Sequence, residues 1–109
     1  MGLISSSYRA MYLKAYRLTL ENKIQWISTA KMELVASSDE IMALGNDLDP
    51  ENPAVKQLER RRERLTMLEK KLDLQMQEYQ TRLSMVDAEL QSCKTAVDNA
   101  IRSSFSYSV

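Results

Sequence analysis

The sequence has no histidine, and only one cysteine, two glycines and two prolines occur among its 109 residues. Without histidine, imidazole ligation of haem, most zinc sites and Ser-His or Cys-His catalysis are excluded. A single cysteine excludes an internal disulfide. Scarce glycine and an aromatic content of 6% argue against an all-β domain, which needs turn glycines and strand aromatics. We therefore expect no enzyme activity, no cofactor and no metal site.

Charge and hydropathy exclude two further classes of partner. The chain has 15 Lys and Arg against 15 Asp and Glu, so its net charge is zero and gives no general attraction to nucleic acid. The basic run Arg60–Arg62 suits either a nucleic-acid or import patch or a solvated helix face neutralised by Glu59, Glu63 and the acidic loop. We favour the solvated face, because no nearby aromatics offer stacking for bases. Apolar runs are only a few residues long, so we expect no membrane-spanning helix.

The charges are nevertheless segregated along the chain. Residues 1–32 carry five basic groups and one acidic group, whereas residues 33–55 carry six acidic groups and no basic one. Residues 56–73 have a net charge of +3 and residues 74–109 a net charge of −1. These blocks can pair within the chain or set the register between copies of it.

Helix-breaking residues are concentrated in one central segment. Gly45 is placed to end a helix as a C′ residue, and Pro50 lies in the following turn. Asn52 and Pro53 are typical of an N-cap and a first helical position. The sequence predicts a flexible N-terminus at 1–7, a first helix at 8–44, a turn at 45–53, and a second helix with a C-terminal assembly tail at 54–109. This fold is all-α: two long antiparallel amphipathic helices in a hairpin or coiled coil, joined by a Pro-x-x-Pro turn.

Both predicted helices carry an apolar seam with a seven-residue repeat, which needs a helical partner. The first seam comprises Leu13, Leu20, Ile27, Leu34 and Ile41. The second comprises Leu58, Leu65, Leu72, Tyr79, Val86, Cys93 and Ala100, with Leu68, Met76, Leu83, Leu90 and Val97 at complementary positions. An extra step of four near Leu72 indicates a local stutter. Because Cys93 lies at a seam position, we expect it to be a small, buried apolar residue.

The second helix is predicted to be longer than the first. At 1.5 Å per residue the first helix spans roughly 55 Å, and a second helix ending near Arg102 spans roughly 75 Å. If the chain folds back, Tyr8 reaches only to about Leu90. The C-terminal segment keeps apolar residues on the seam without a partner in the chain, so we expect a homo-oligomer or a different helical protein to cover it.

Several apolar and aromatic side chains are candidates for that interface. Tyr8, Tyr12 and Tyr16 recur every four residues on one helix face, which suits either an interface stripe or core packing. Trp26 suits either an inter-subunit anchor or burial in the hairpin. The complete set of predicted interface residues is Tyr8, Tyr12, Tyr16, Trp26, Leu90, Val97, Ile101, Phe105 and Val109.

The turn and the C-terminus resemble the needle proteins of bacterial type III secretion systems. Asp49-Pro50-Glu51-Asn52-Pro53-Ala54 is similar to the family's turn between two helices. Asp98-Asn99-Ala100-Ile101-Arg102-Ser103-Ser104-Phe105 is similar to its C-terminal tail, and Ser5-Ser6-Ser7 to its polar N-terminus. The resemblance implies a small secreted hairpin that polymerises helically, with the second helix lining a channel and the turn facing outward. It also implies subunit contacts by Ile101, Phe105 and Val109.

Two functional hypotheses follow. The first is a structural subunit that self-assembles into a filament, tube or needle-like secretion-related assembly, with other secretion or assembly proteins as further partners. The alternative is a coiled-coil adaptor or chaperone whose unpaired seam receives a helix of a different protein. The resemblance implies an extracellular or cell-surface location; without it, a cytoplasmic one is expected.

Overall fold

The computed structural model describes residues 2–108, with residues 107 and 108 described as backbone only. Helix α1 comprises Leu3–Asn46 and helix α2 comprises Pro53–Ser108, and no strand occurs in this part of the chain. The predicted all-α helical hairpin is confirmed. No helix among the described residues is long and apolar enough to cross a membrane.

Helix α1 begins five residues earlier than the predicted Tyr8, so residues 3–7 belong to the helix. The Ser6 N–H donates a hydrogen bond to the Gly2 carbonyl oxygen at 3.1 Å. Ser6 lies seven residues before Leu13 on the same face, and only 2% of its surface is exposed. Burial on the seam therefore outweighs the weak helix propensity of the three consecutive serines.

Gly45 does not end α1 in the left-handed conformation, which corrects the predicted C′ role. Helix α1 continues to Asn46, and neither glycine has a positive φ. The helix closes instead with tighter bonds between residues three apart: the Asp47 N–H donates to the Leu44 carbonyl and the Leu48 N–H to the Gly45 carbonyl, at 3.3 and 3.4 Å. These bonds satisfy carbonyls that a helix end otherwise leaves unpaired.

The start of α2 follows the sequence prediction. Asn52 Oδ1 accepts a hydrogen bond from the Ala54 N–H at 3.0 Å, which is the geometry of an N-cap, and Pro53 is the first helical residue. Before it, the Asn52 N–H donates to the Asp49 carbonyl at 2.9 Å, with Pro50 second in that four-residue turn. Asp49 Oδ1 also accepts from the Glu51 N–H at 3.2 Å. Local hydrogen bonds thus define the reversal between helices.

The chain divides into two compact units. The terminal unit contains the described residues of Met1–Lys23 and Tyr79–Val109, and the turn unit contains Ile24–Glu78. In the terminal unit Leu13, Leu20 and Val86 form a buried cluster. The partly buried side chains packed against this cluster are Tyr16, Tyr79, Leu83, Leu90 and Cys93. The heptad seam therefore forms the core of this unit, with Cys93 as one of its half-buried members.

The core of the turn unit is formed by the same repeat, and an ion pair lies beside it. Ile27, Leu34 and Leu72 are buried, whereas Leu68 is 46% exposed, so the predicted seam position of Leu68 is wrong. The Lys31 ammonium forms an ion pair with the Asp73 carboxylate, and both residues are half-buried. This ion pair includes Asp73, the residue after Leu72, and so lies where the sequence predicts the stutter.

Candidate assembly surfaces

Two cross-helix ion pairs set the alignment of the helices in the terminal unit. Arg9 Nη2 lies 2.8 Å from Glu89 Oε2, and Arg17 Nε lies 3.0 Å from Asp87 Oδ1. Arg9 precedes Arg17 along α1, whereas Glu89 follows Asp87 along α2. This opposite order is what antiparallel packing requires. All four side chains are about half exposed, so each pair contributes about 0–1 kcal/mol and mainly specifies register.

The predicted tyrosine stripe divides between core and surface. Tyr16 packs against the buried cluster, which is the core-packing alternative. Tyr12 stacks on Tyr16 with ring centroids 6.4 Å apart and planes inclined by 5°, yet Tyr12 is 59% exposed. The Arg9 guanidinium lies over the Tyr12 ring at 5.5 Å. Tyr8 is 68% exposed, so Tyr8 and Tyr12 are the tyrosines available to a partner.

A row of exposed side chains follows α1 in the terminal unit. We call Ile4, Tyr8, Met11, Ala15 and Leu18 the outer row, because their spacing of 4, 3, 4 and 3 residues places them on one helix face. All five are exposed, and Ile4 reaches 72%. The row contains no charge. Sequence reasoning named only Tyr8 from it, although the alternating 4-3 spacing was a signal for a second seam on this helix.

Next to the outer row, and sharing Met11 with it, the terminal unit contains an open groove of about 740 Å³. Ala10, Leu90 and Val97, all half-buried, form its apolar floor, and the exposed Lys14 and Lys94 stand at its rim. Its remaining lining residues are Ser7, Met11, Arg17, Asp87, Gln91 and Cys93. We call this the basic groove. It places two predicted interface residues, Leu90 and Val97, where they contribute both to intramolecular packing and to a surface accessible from outside.

The seam residues of α2 become exposed after Ala100. Val97 and Ala100 are half-buried, but Ile101 is 43% exposed and Phe105 is 70% exposed. The early start of α1 extends the paired region beyond the predicted limit near Leu90. The unpartnered apolar segment is therefore shorter than expected. Val109 lies outside the described residues.

The turn unit presents a second chemically distinct face on α1. Met32, Val35, Asp39 and Met42, spaced by 3, 4 and 3 residues on one side of the helix, are all exposed, and the exposed Glu40 flanks this side, about 100° around the helix from Asp39. We call these five residues the acidic face. Trp26 is also in this unit and is 67% exposed, so its burial in the hairpin is excluded. Sequence reasoning identified the negative charge of this region but not its exposed methionines.

Several charged groups have no ionic partner within residues 2–108. Lys14 and Lys94 at the basic groove form no salt bridge there, nor do Asp39 and Glu40 of the acidic face. In the same part of the chain, no ion pair joins Arg60–Arg62 to the acidic loop. These side chains are available to a partner.

Within the described residues, no group of three or more acidic or cysteine side chains is arranged to hold a metal ion. Apolar surface and unpaired charge, rather than a cluster of reactive groups, are thus the prominent surface features. Comparison with protein-family models, curated proteins and solved structures returned no match.

Proposed function

We propose that this protein is a structural subunit whose helical hairpins self-assemble into a filament, tube or needle-like assembly related to secretion. The observation that carries the proposal is the ratio of buried to exposed apolar side chains. Among the described residues, six apolar side chains are buried, whereas seventeen large ones are exposed. Surface exposure of this kind, when contiguous, marks sites of protein association.

The outer row gives this exposed surface a specific geometry. A 4-3 spacing of apolar residues on a helix is the pattern that packs against another helix. The hairpin uses the Leu13 and Leu20 seam internally, because both are at most 2% exposed, and leaves the outer row uncovered. The terminal unit therefore has one apolar seam for folding and a second one for association.

The turn and tail sequences support the secretion-related part of the proposal through their resemblance to needle proteins. The N-cap and turn at Asp49–Asn52 adopt the tight reversal that a stackable hairpin requires. Exposure of Ile101 and Phe105 leaves the needle-like tail available for subunit contacts.

The experiment compares wild type with an Ile4→Ser/Tyr8→Ser variant by sedimentation velocity over a concentration series. Both side chains are more than 65% exposed, so the fold should persist, and circular dichroism checks the helix content. The proposal predicts large assemblies for wild type and a marked loss of them for the variant. A Met67→Ser/Leu74→Ser variant removes two side chains of similar exposure elsewhere and should assemble like wild type.

Equal loss in both variants would indicate non-specific hydrophobic association and would contradict the role of the outer row. A wild-type protein that stays a discrete dimer or tetramer at all concentrations would contradict self-assembly. That result would favour the adaptor alternative, for which the basic groove offers an apolar floor to a helix of a different protein.

A further inference from the structure

We infer that the basic groove of one copy binds the acidic face of a second copy, giving a head-to-tail contact. This inference rests on the proposed function, because it names one of the contacts through which the copies would assemble. The groove adjoins the outer row and shares Met11 with it, but the other four residues of the outer row do not line the groove.

Charge is distributed oppositely over the two units. The terminal unit has seven basic and four acidic side chains, a net charge of +3, whereas the turn unit has eight basic and eleven acidic ones, a net charge of −3. A zero net charge for the chain therefore conceals two complementary regions. Contact between unlike units of two copies is favoured over contact between like units.

The two surfaces also match locally in chemistry. The groove combines an apolar floor, including Leu90 and Val97, with Lys14 and Lys94 at the rim. The acidic face combines exposed methionine and valine side chains with Asp39 and Glu40. Methionine side chains adapt well to irregular apolar surfaces. Such a pairing buries the methionine and valine side chains against the groove floor and brings Asp39 and Glu40 near the two lysines.

The two surfaces match in length as well. The α1 wall of the groove extends from Ser7 to Arg17, and the acidic face extends from Met32 to Met42. Each is ten residue steps of helix, or about 15 Å. A helix segment of the second copy is therefore long enough to cover the wall from one end to the other.

The contact is heterologous, because the groove and the face are different surfaces of the same chain. A heterologous contact repeats from copy to copy and produces a filament, or a ring when the rotation closes. Since its ionic part is solvated, raising the salt concentration weakens it.

The test is a charge swap. The first variant, Lys14→Glu/Lys94→Glu, gives the chain an acidic groove and an acidic face. The second variant, Asp39→Lys/Glu40→Lys, gives it a basic groove and a basic face. Each variant alone should need about tenfold or more protein to assemble than wild type, because like charges meet at the contact. An equimolar mixture should recover assembly, because each groove then finds a face of opposite charge.

Matched controls make the result specific. A Lys70→Glu/Lys71→Glu variant makes the same change in net charge at two exposed lysines of the turn unit and should assemble like wild type. The neutral variants Lys14→Gln/Lys94→Gln and Asp39→Asn/Glu40→Gln serve if a reversed charge lowers the helix content measured by circular dichroism. These neutral variants should show an intermediate rise in the concentration needed.

The outcomes separate this inference from the proposed function. If wild type and both charge-swap variants assemble equally well, the groove contact is overturned while self-assembly stands. If both variants lose assembly and their mixture does not recover it, the pairing of these two surfaces is overturned. If wild type itself does not assemble, the proposed function and this inference fail together.

Discussion

Arg17 of α1 forms an ion pair with Asp87 of α2 at 3.0 Å and also contacts Glu21 of its own helix at 3.3 Å. The guanidinium thus joins the two helices beside the basic groove that Arg17 and Asp87 help to line. Because all three side chains are close to half exposed, solvent screening keeps these pairs weak. They align the helices, while the stability of the terminal unit comes from its apolar cluster.

Leu20 and Leu18 provide a direct comparison of the two faces of α1. Leu20 is 1% exposed in the buried cluster, so Leu20→Ala should lower the free energy of unfolding by about 2–5 kcal/mol. Leu18 is 59% exposed, so Leu18→Ala should change it by no more than about 0.5 kcal/mol. Urea unfolding monitored by circular dichroism, under conditions where both variants are dissociated, measures the difference. Equal losses would contradict the assignment of the inner seam.

Asn52 caps α2 through its side-chain oxygen, so its removal should destabilise the turn. We expect Asn52→Ala to cost about 1 kcal/mol, because the Ala54 N–H then lacks a side-chain partner. Asn52→Asp should retain most of the stability. Asn99→Ala, at an exposed position inside α2, should be neutral or slightly stabilising, since alanine is the better helix former. Thermal unfolding compares the three variants. An Asn52→Ala variant as stable as wild type would contradict the capping role.

The Lys31–Asp73 pair predicts a pH dependence at the alkaline end. Its hydrogen bond to Asp73 raises the pKa of Lys31 above the ordinary value of 10.5. The stabilising contribution is therefore fully present below the unfolded-state pKa and is lost as pH rises through the higher folded-state pKa. NMR titration should give a higher midpoint for Lys31 than for Lys31 in an Asp73→Asn variant. Identical midpoints would contradict the pair.

The tail after Ala100 is predicted to serve assembly more than folding. Ile101 and Phe105 are exposed, so deleting residues 101–109 should leave the helix content nearly intact. Because the deletion removes the unpartnered apolar end of α2, assembly should be abolished. Circular dichroism and light scattering measure the two properties separately. Normal polymerisation of the truncated protein would show that the tail is not an interface.

Much of the fold follows from spacing in the sequence. The seven-residue repeat through Leu13 and Leu20 correctly predicts the buried face, and Asn52-Pro53 correctly predicts the start of α2. The sequence does not predict the start of α1, because serine is a weak helix former and the burial of Ser6 is a tertiary effect. The predicted role of Gly45 is wrong. Glycine suits a helix end in the left-handed conformation, but hydrogen bonds between residues three apart close α1 instead.

The candidate surfaces were less accessible to sequence reasoning. The sequence indicates Tyr8 through its four-residue spacing, Trp26 through its place beside the seam, and Phe105 through the seam and the needle-like tail. The structure leaves all three exposed. The outer row was not recognised, because an amphipathic helix is ordinarily expected to have one apolar side. The basic groove depends on which side chains of α1 and α2 lie together, and Lys14 and Lys94 are 80 positions apart in the sequence. Predicting such pairings requires knowledge of the register between the two helices.

The central claim is self-assembly, and electron microscopy of the wild-type protein tests it most directly. Negatively stained samples over a concentration series, with light scattering for mass, should show extended filaments or tubes above a threshold concentration. The mass should grow without a fixed limit, as a repeating heterologous contact requires. A monodisperse dimer or tetramer at every concentration would contradict the account.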